Sequence, residues 1–214
     1  MRSVHIYKKR FHVEITPDMV MSVYGSQEGM GHLGMTLCDE GDVVLLPDPC
    51  YPVFAAGSKL GGAVPYYYPL VAEHDFLPYV KNIPEDVARK ARYMVVSLPS
   101  NPVGSIATPE LYEEIVAFAK KYDILIIHDN AYSDIIFDGV EGGSFLATPG
   151  AREVGVEFFS LSKSFNVTGA ESAFSLEIQK SSLLLKSFAA RSISVCSCQS
   201  RKLLSLLLRD LWTA

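Results

Sequence analysis

Four consecutive apolar residues, Ile124-Leu125-Ile126-Ile127, constrain this chain more than any other feature, because the run has no polar side to turn toward water. A strand of that kind needs cover on both faces, the condition met in parallel sheets with helices on either side. The runs Val43-Val44-Leu45-Leu46, 63–68, 92–97 and 156–160 read as companion strands. Helical stretches lie between them. Residues 54–60 form one, closed by Gly61-Gly62. Another opens at Thr108-Pro109-Glu110, an N-cap followed by a proline at the first helical position and an early acid. In that segment Leu111, Ile115, Val116, Phe118 and Ala119 recur at helical spacing up to Lys120-Lys121. Strands alternating with helices predict an α/β fold, a three-layer α/β/α sandwich around a mostly parallel sheet.

The chemistry-bearing residues collect where such a sheet keeps its ligands, beyond the carboxyl ends of the strands. Asn101 follows one apolar run in Asn101-Pro102-Val103-Gly104, and Asp129 and Tyr132 follow another in His128-Asp129-Asn130-Ala131-Tyr132. Lys163 follows a third, in Ser160-Leu161-Ser162-Lys163. An amine, a carboxylate, a phenol, an amide and two hydroxyls at one sheet edge suit a pyridoxal phosphate site. Ser26 and Gln27 stand where a glycine-containing turn enters a helix, so backbone N–H groups there face an anion with the helix dipole behind them. Plainer readings stay open beside these: a surface lysine, a strand-end aspartate, a packing tyrosine, an Asn-Pro turn and a serine cap. His128 has no second ligand at metal spacing, so it reads as a packing residue and no metal site is expected.

Composition narrows the function classes. A hydrophobic content of 49% with 20% charged residues describes a folded globular chain. A net charge of -5 and a pI near 5.5 give no electrostatic reason to expect nucleic acid or an anionic membrane as partner. No apolar stretch approaches the ~20 residues of a membrane span, and the opening Met1-Arg2-Ser3-Val4-His5 lacks a secretory core. A cytoplasmic setting is the expectation. The cysteines Cys38, Cys50, Cys196 and Cys198 make no Cys-x-x-Cys pair and read as reduced thiols.

Five motifs in order carry a family likeness: Gly25-Ser26-Gln27-Glu28-Gly29, Pro47-Asp48-Pro49-Cys50-Tyr51-Pro52, Asn101-Pro102-Val103-Gly104, Asp129-Asn130-Ala131-Tyr132 and Ser160-Leu161-Ser162-Lys163. Together they resemble the class I/II, fold-type I pyridoxal-phosphate aminotransferases, nearest to the LL-diaminopimelate aminotransferases, over roughly residues 5–170. The resemblance implies pyridoxal 5′-phosphate as cofactor, and amino acid and 2-oxo acid substrates. It also implies a homodimeric parent and amino transfer impaired by truncation at both ends. Lys163 is then the amine that condenses with the cofactor aldehyde and later shuttles a proton, its nucleophilicity helped by desolvation. Asp129 pairs with the pyridine nitrogen, Tyr132 and Asn101 donate to the ring's phenolic oxygen, and Tyr51 stacks on the ring. Ser26, Gln27, Ser160 and Ser162 serve the phosphate. A lyase or decarboxylase parent on the same fold, or a non-catalytic remnant, are the competing readings.

The likeness fails at one serious point. Glu171 occupies the place of the family's phosphate-gripping arginine, a charge reversal facing a dianion. Residues 171–214 hold ten serines and ten leucines and lack glycine, proline and asparagine, a change of rules for a turn-rich domain. The expected organisation is a partial cofactor-binding large domain over 1–170 and an aberrant tail over 171–214, produced by a frameshift after Ala170. Sheet strands that follow the lysine are expected to be missing.

Overall fold

A computed structural model describes residues 2–166 and 172–176. Its centre is a seven-stranded sheet built from β1 (Val20–Tyr24), β2 (Val43–Asp48), β3 (Val64–Pro69), β4 (Ala91–Ser97), β5 (Leu125–Asn130), β6 (Gly155–Ser160) and β7 (Ser172–Leu176). The spatial order is β1-β7-β6-β5-β4-β2-β3. Strands β3, β2, β4, β5 and β6 pair in parallel, while β7 runs antiparallel to both β6 and β1.

Helices cover both faces, as the continuous apolar strands require. On one side lie α2 (Gly25–Leu37) and α3 (Pro52–Leu60), whose Met30, Leu33 and Phe54 pack with Val44, Leu46, Val95, Ile127 and Phe158. On the other lie α1 (Arg2–Phe11) and α5 (Pro109–Tyr122), whose Tyr7, Phe11, Ile115 and Ala119 pack with Leu45, Val96, Ile126 and Phe159. Successive strand residues enter opposite cores, as the pleat dictates. Three layers result. Short helices α4 (Glu85–Ala88), α6 (Ala151–Val154) and α7 (Leu161–Ser164) fill the connections.

The helix signals in the sequence act as written. Thr108 accepts from the Leu111 N–H at 3.3 Å, Pro109 opens α5, and Asp123 closes it in a left-handed conformation with φ 56°. Helices α2 and α3 meet through glycine. A Cβ on Gly57 would stand 2.7 Å from the Met30 carbonyl oxygen, and one on Gly34 would strike the Gly57 carbonyl.

Two elements stand where the sequence carries no strong signal. Among its described side chains, helix α1 buries Ile6, Tyr7 and Phe11, and it ends on Lys8-Lys9-Arg10, which suit the negative end of its dipole. Strand β7 corrects one expectation: a sheet strand does follow the lysine, and it fills the gap between β6 and β1. Its backbone pairing needs no turn residue inside the strand, so the absence of glycine and proline was no obstacle. Glu171, the frameshift point after Ala170 and residues 177–214 lie outside the described residues. Among the described residues no helix is long and apolar enough to cross a membrane.

Candidate active site

Because β2, β4, β5 and β6 run the same way, their carboxyl ends open on one edge of the sheet. Strand β1 is reached from β6 through two antiparallel steps, so it points the same way and delivers the first turn of α2 to that edge. The nine residues singled out in the sequence, Ser26, Gln27, Tyr51, Asn101, Asp129, Tyr132, Ser160, Ser162 and Lys163, all line one cavity of about 350 Å³ there. Gly25, Met30, Val53 and Ala131 complete the wall. A larger groove of about 610 Å³ lies between residues 12–19 and 146–153, and none of the nine reaches it.

Asp129 dominates the electrostatics of the cavity. Only 7% exposed, it keeps Oδ1 without a hydrogen-bond partner among the described residues. Burial pushes its carboxyl up to about 6, with His128 and the neighbouring Ser97 pulling the other way. Ser97 faces Asp129 in the strand register, yet its own hydroxyl makes no hydrogen bond of good geometry among the described residues. Asn101 Nδ2 donates to the Tyr132 hydroxyl at 3.3 Å, joining the two loop residues expected to act together. Burial and the nearby Asp129 raise the Tyr132 phenol, and the Asn101 bond opposes them.

The end of the cavity expected to meet an anion is formed by α2, which starts at Gly25 with φ 77° and places Ser26 and Gln27 in its first turn. Ser162 Oγ, buried and unpartnered among the described residues, faces the same cavity. Lys163 sits in α7 and is exposed at the cavity wall. Among the described residues this differs from the expected desolvation: α7 is a single turn at the sheet edge that buries Leu161 and Ser162 and leaves Lys163 exposed.

One group escaped the sequence reading. Glu157, inside the apolar run of β6, is fully buried and accepts hydrogen bonds from Tyr7 Oη (2.6 Å), Asn130 Nδ2 (3.2 Å), Ser144 Oγ (3.0 Å) and the Phe145 N–H (2.9 Å). His128 Nδ1 lies 2.8 Å from Oε2, the oxygen that also accepts from Phe145, and His128 Nε2 lies 3.0 Å from Tyr112 Oη. Burial alone would raise this carboxyl; His128 and the Tyr7 and Asn130 bonds outweigh it and hold it below the usual range. His128 is thus more than packing. The available signal was a charged residue inside Val156-Glu157-Phe158-Phe159, paired in register with a histidine inside another apolar strand.

A carboxylate short of a donor, an amine, a hydrogen-bonded phenol and a helix start on one sheet edge coincide with a family match. The profile of aminotransferase class I and II matches residues 4–209. The chain belongs to that family. The LL-diaminopimelate aminotransferase of Desulforudis audaxviator (strain MP104C) is 49% identical over 164 residues, which is 76% of this chain and 42% of that protein. The enzyme of the same name from Syntrophobacter fumaroxidans (strain DSM 10017 / MPOB) is 44% identical over 171 residues, 79% of this chain and 44% of its own length. Among solved structures, an aminotransferase from Staphylococcus aureus superposes with a TM-score of 0.93 at 28% identity, covering 99% of this chain and 56% of that one. A probable N-succinyldiaminopimelate aminotransferase from Thermus thermophilus gives 0.92 at 31% identity, covering 98% and 56%. This class I/II aminotransferase chain therefore spans less than half the length of the curated relatives it matches.

Proposed function

We propose that the cavity holds pyridoxal 5′-phosphate and that the parent reaction moves an amino group between an amino acid and a 2-oxo acid. The observation that carries this reading is Asp129: a buried carboxylate whose Oδ1 has no partner among the described residues and faces eight other polar residues of the expected set. Burying such a group without a donor is unfavourable unless a ligand supplies one. The donor set fits the cofactor end to end. Asp129 would pair with the protonated ring nitrogen, Tyr132 and Asn101 would donate to the phenolic oxygen, and Tyr51 would cover the ring. The α2 N-terminus, with Ser26, Gln27, Ser160 and Ser162, receives the phosphate.

When bound, the cofactor supplies an aldehyde and an electron-withdrawing ring, the chemistry that lets an amino group pass between substrates. Asp129 supports this by staying ionised at neutral pH, below which its raised pKa would neutralise it. Lys163 supplies the nucleophilic amine and holds the proton that moves at the substrate α-carbon. The activity in the relatives' names, LL-diaminopimelate aminotransferase, supports LL-diaminopimelate as the amino acid. We place the protein in the cytoplasm, supported by the free thiols of Cys38 and Cys50. Residues 171–214 we read as a frameshifted tail, which the nucleotide sequence across that boundary tests directly.

Adding pyridoxal phosphate to the whole chain tests the reading. A visible absorption band, removable by borohydride trapping and absent from Lys163→Ala, is the expected result. A wild-type spectrum identical to that of Lys163→Ala would rule out the reading.

A further inference from the structure

We propose that Glu157 is a positioning residue for Asp129, gripping both of its chain neighbours from the opposite face of the sheet. The inference rests on the cofactor reading only for why Asp129 needs to be held. His128 Nδ1 meets Glu157 Oε2 at 2.8 Å, and Asn130 Nδ2 donates to Glu157 Oε1 at 3.2 Å. Residues 128 and 130 point away from the cavity, and residue 129 points into it, because side chains alternate along a strand. One carboxylate thus fixes the strand on each side of Asp129. Asn130 also donates to the Gly143 carbonyl at 3.1 Å, which ties the start of the Tyr132 loop to the same anchor.

A fold alone does not need this group. A buried charge is seldom more stabilising than apolar packing of the same volume, whereas a fully satisfied polar network imposes a single geometry. Both oxygens of the Glu157 carboxylate are satisfied here, with donors from α1, β5 and the 143–145 turn and 0% exposure for Glu157 and His128, while Asn130 Oδ1 has no hydrogen-bond partner among the described residues. The titratable groups packed against the carboxylate are Tyr7 of α1 and His128 of β5, with Tyr112 of α5 reached through the imidazole. Its place is at the β5–β6 pairing, where His128 registers with Glu157 and Asp129 with Phe158. Strand β5 carries Asp129 and β6 leads into Lys163, so the clamp sets the spacing between them.

The decisive measurement is the titration of Asp129 by carboxyl carbon NMR in the whole, cofactor-free chain. Glu157→Gln keeps the shape but cannot accept on both sides, and the midpoint is expected to fall by at least about half a unit, roughly threefold in proton affinity. Asn130→Ala opens one side of the clamp with the charge left in place and moves the midpoint the same way. It also serves if Glu157→Gln does not fold. Tyr7→Phe removes a donor outside the clamp, so it lowers the melting temperature and leaves the midpoint alone. With added pyridoxal phosphate, Glu157→Gln binds about tenfold more weakly, and adds no further loss to Asp129→Asn. An unchanged midpoint in folded Glu157→Gln or Asn130→Ala, or an equal shift in Tyr7→Phe, overturns the proposal. Should the wild-type chain take up no cofactor, the functional reading fails while the titration still decides this one.

Discussion

Asp129 stabilises the fold least at the pH where it serves the proposed site best. Burial raises its folded-state value to about 6, above the ordinary carboxylate, with His128 and Ser97 opposing. The folded chain then holds more protons than the unfolded one between about pH 4 and 6. The contribution of Asp129 to stability is therefore complete below that interval and lost as pH rises through it. Asp129→Asn is expected to stabilise the cofactor-free chain at pH 8 on the order of 2–3 kcal/mol, with the gain vanishing near pH 4. Urea denaturation at the two pH values measures it, and equal stabilities at pH 8 would refute the idea of a strained, unpaired carboxylate. At this scale the sequence was readable for residues inside motifs, because motif residues cluster locally at strand ends. Glu157 was not, because its partners Tyr7, His128, Asn130, Ser144 and Phe145 come from distant segments and only the folded sheet brings them together.

Among the elements, the pairing of α2 with α3 matters most to the site, since α2 presents its first turn to the cavity. The two helices touch backbone to backbone at Gly34, Gly57 and Gly61, with no room for a side chain. Gly57→Ala places a methyl 2.7 Å from the Met30 carbonyl oxygen and 2.9 Å from Gly31. The expected cost is about 1–3 kcal/mol of stability, as for other overpacked sites. The shift in α2 should also weaken phosphate capture, so free phosphate and pyridoxal phosphate affinities fall together in titration calorimetry. A variant with wild-type stability would mean that the helices slide apart without strain. Helix α5 was legible in the sequence because cap, proline and apolar period agree. Helix α1 was not picked out: its apolar residues do repeat at helical spacing, but the helix is short, rich in basic residues and has no acid in its first turn to mark its start.

For the molecule as a whole, the apolar surface next to the site is the clearest liability. A groove of about 520 Å³ shares Asn101 and Tyr132 with the cavity and runs past Ile135, Phe137 and Val140. Phe137 is 74% exposed. Contiguous apolar surface of this kind binds dyes and neighbours. Phe137→Ser is expected to lower the fluorescence of a bound anilinonaphthalene dye while stability changes by less than about 0.5 kcal/mol, the usual limit for exposed sites. Undiminished fluorescence would place the dye elsewhere. The sandwich itself was readable from apolar runs and their spacing, whereas β7 and its partner β1 were not. Each is a short strand of mixed residues whose place is set by pairing with the other.

That pairing has a consequence for how the chain comes together. Among the described residues, strand β1 joins the sheet only through β7, so the segment made early in synthesis waits for one made more than a hundred residues later. The five parallel strands can assemble beforehand and α2 can pack on α3 and the sheet, yet the strand that leads into the first turn of α2 has no place in the sheet until that late ribbon arrives. Distant pairings of this sort form slowly. On the proposed reading, the phosphate end of the cavity is therefore completed late in folding, after the segment that carries Lys163 has been made.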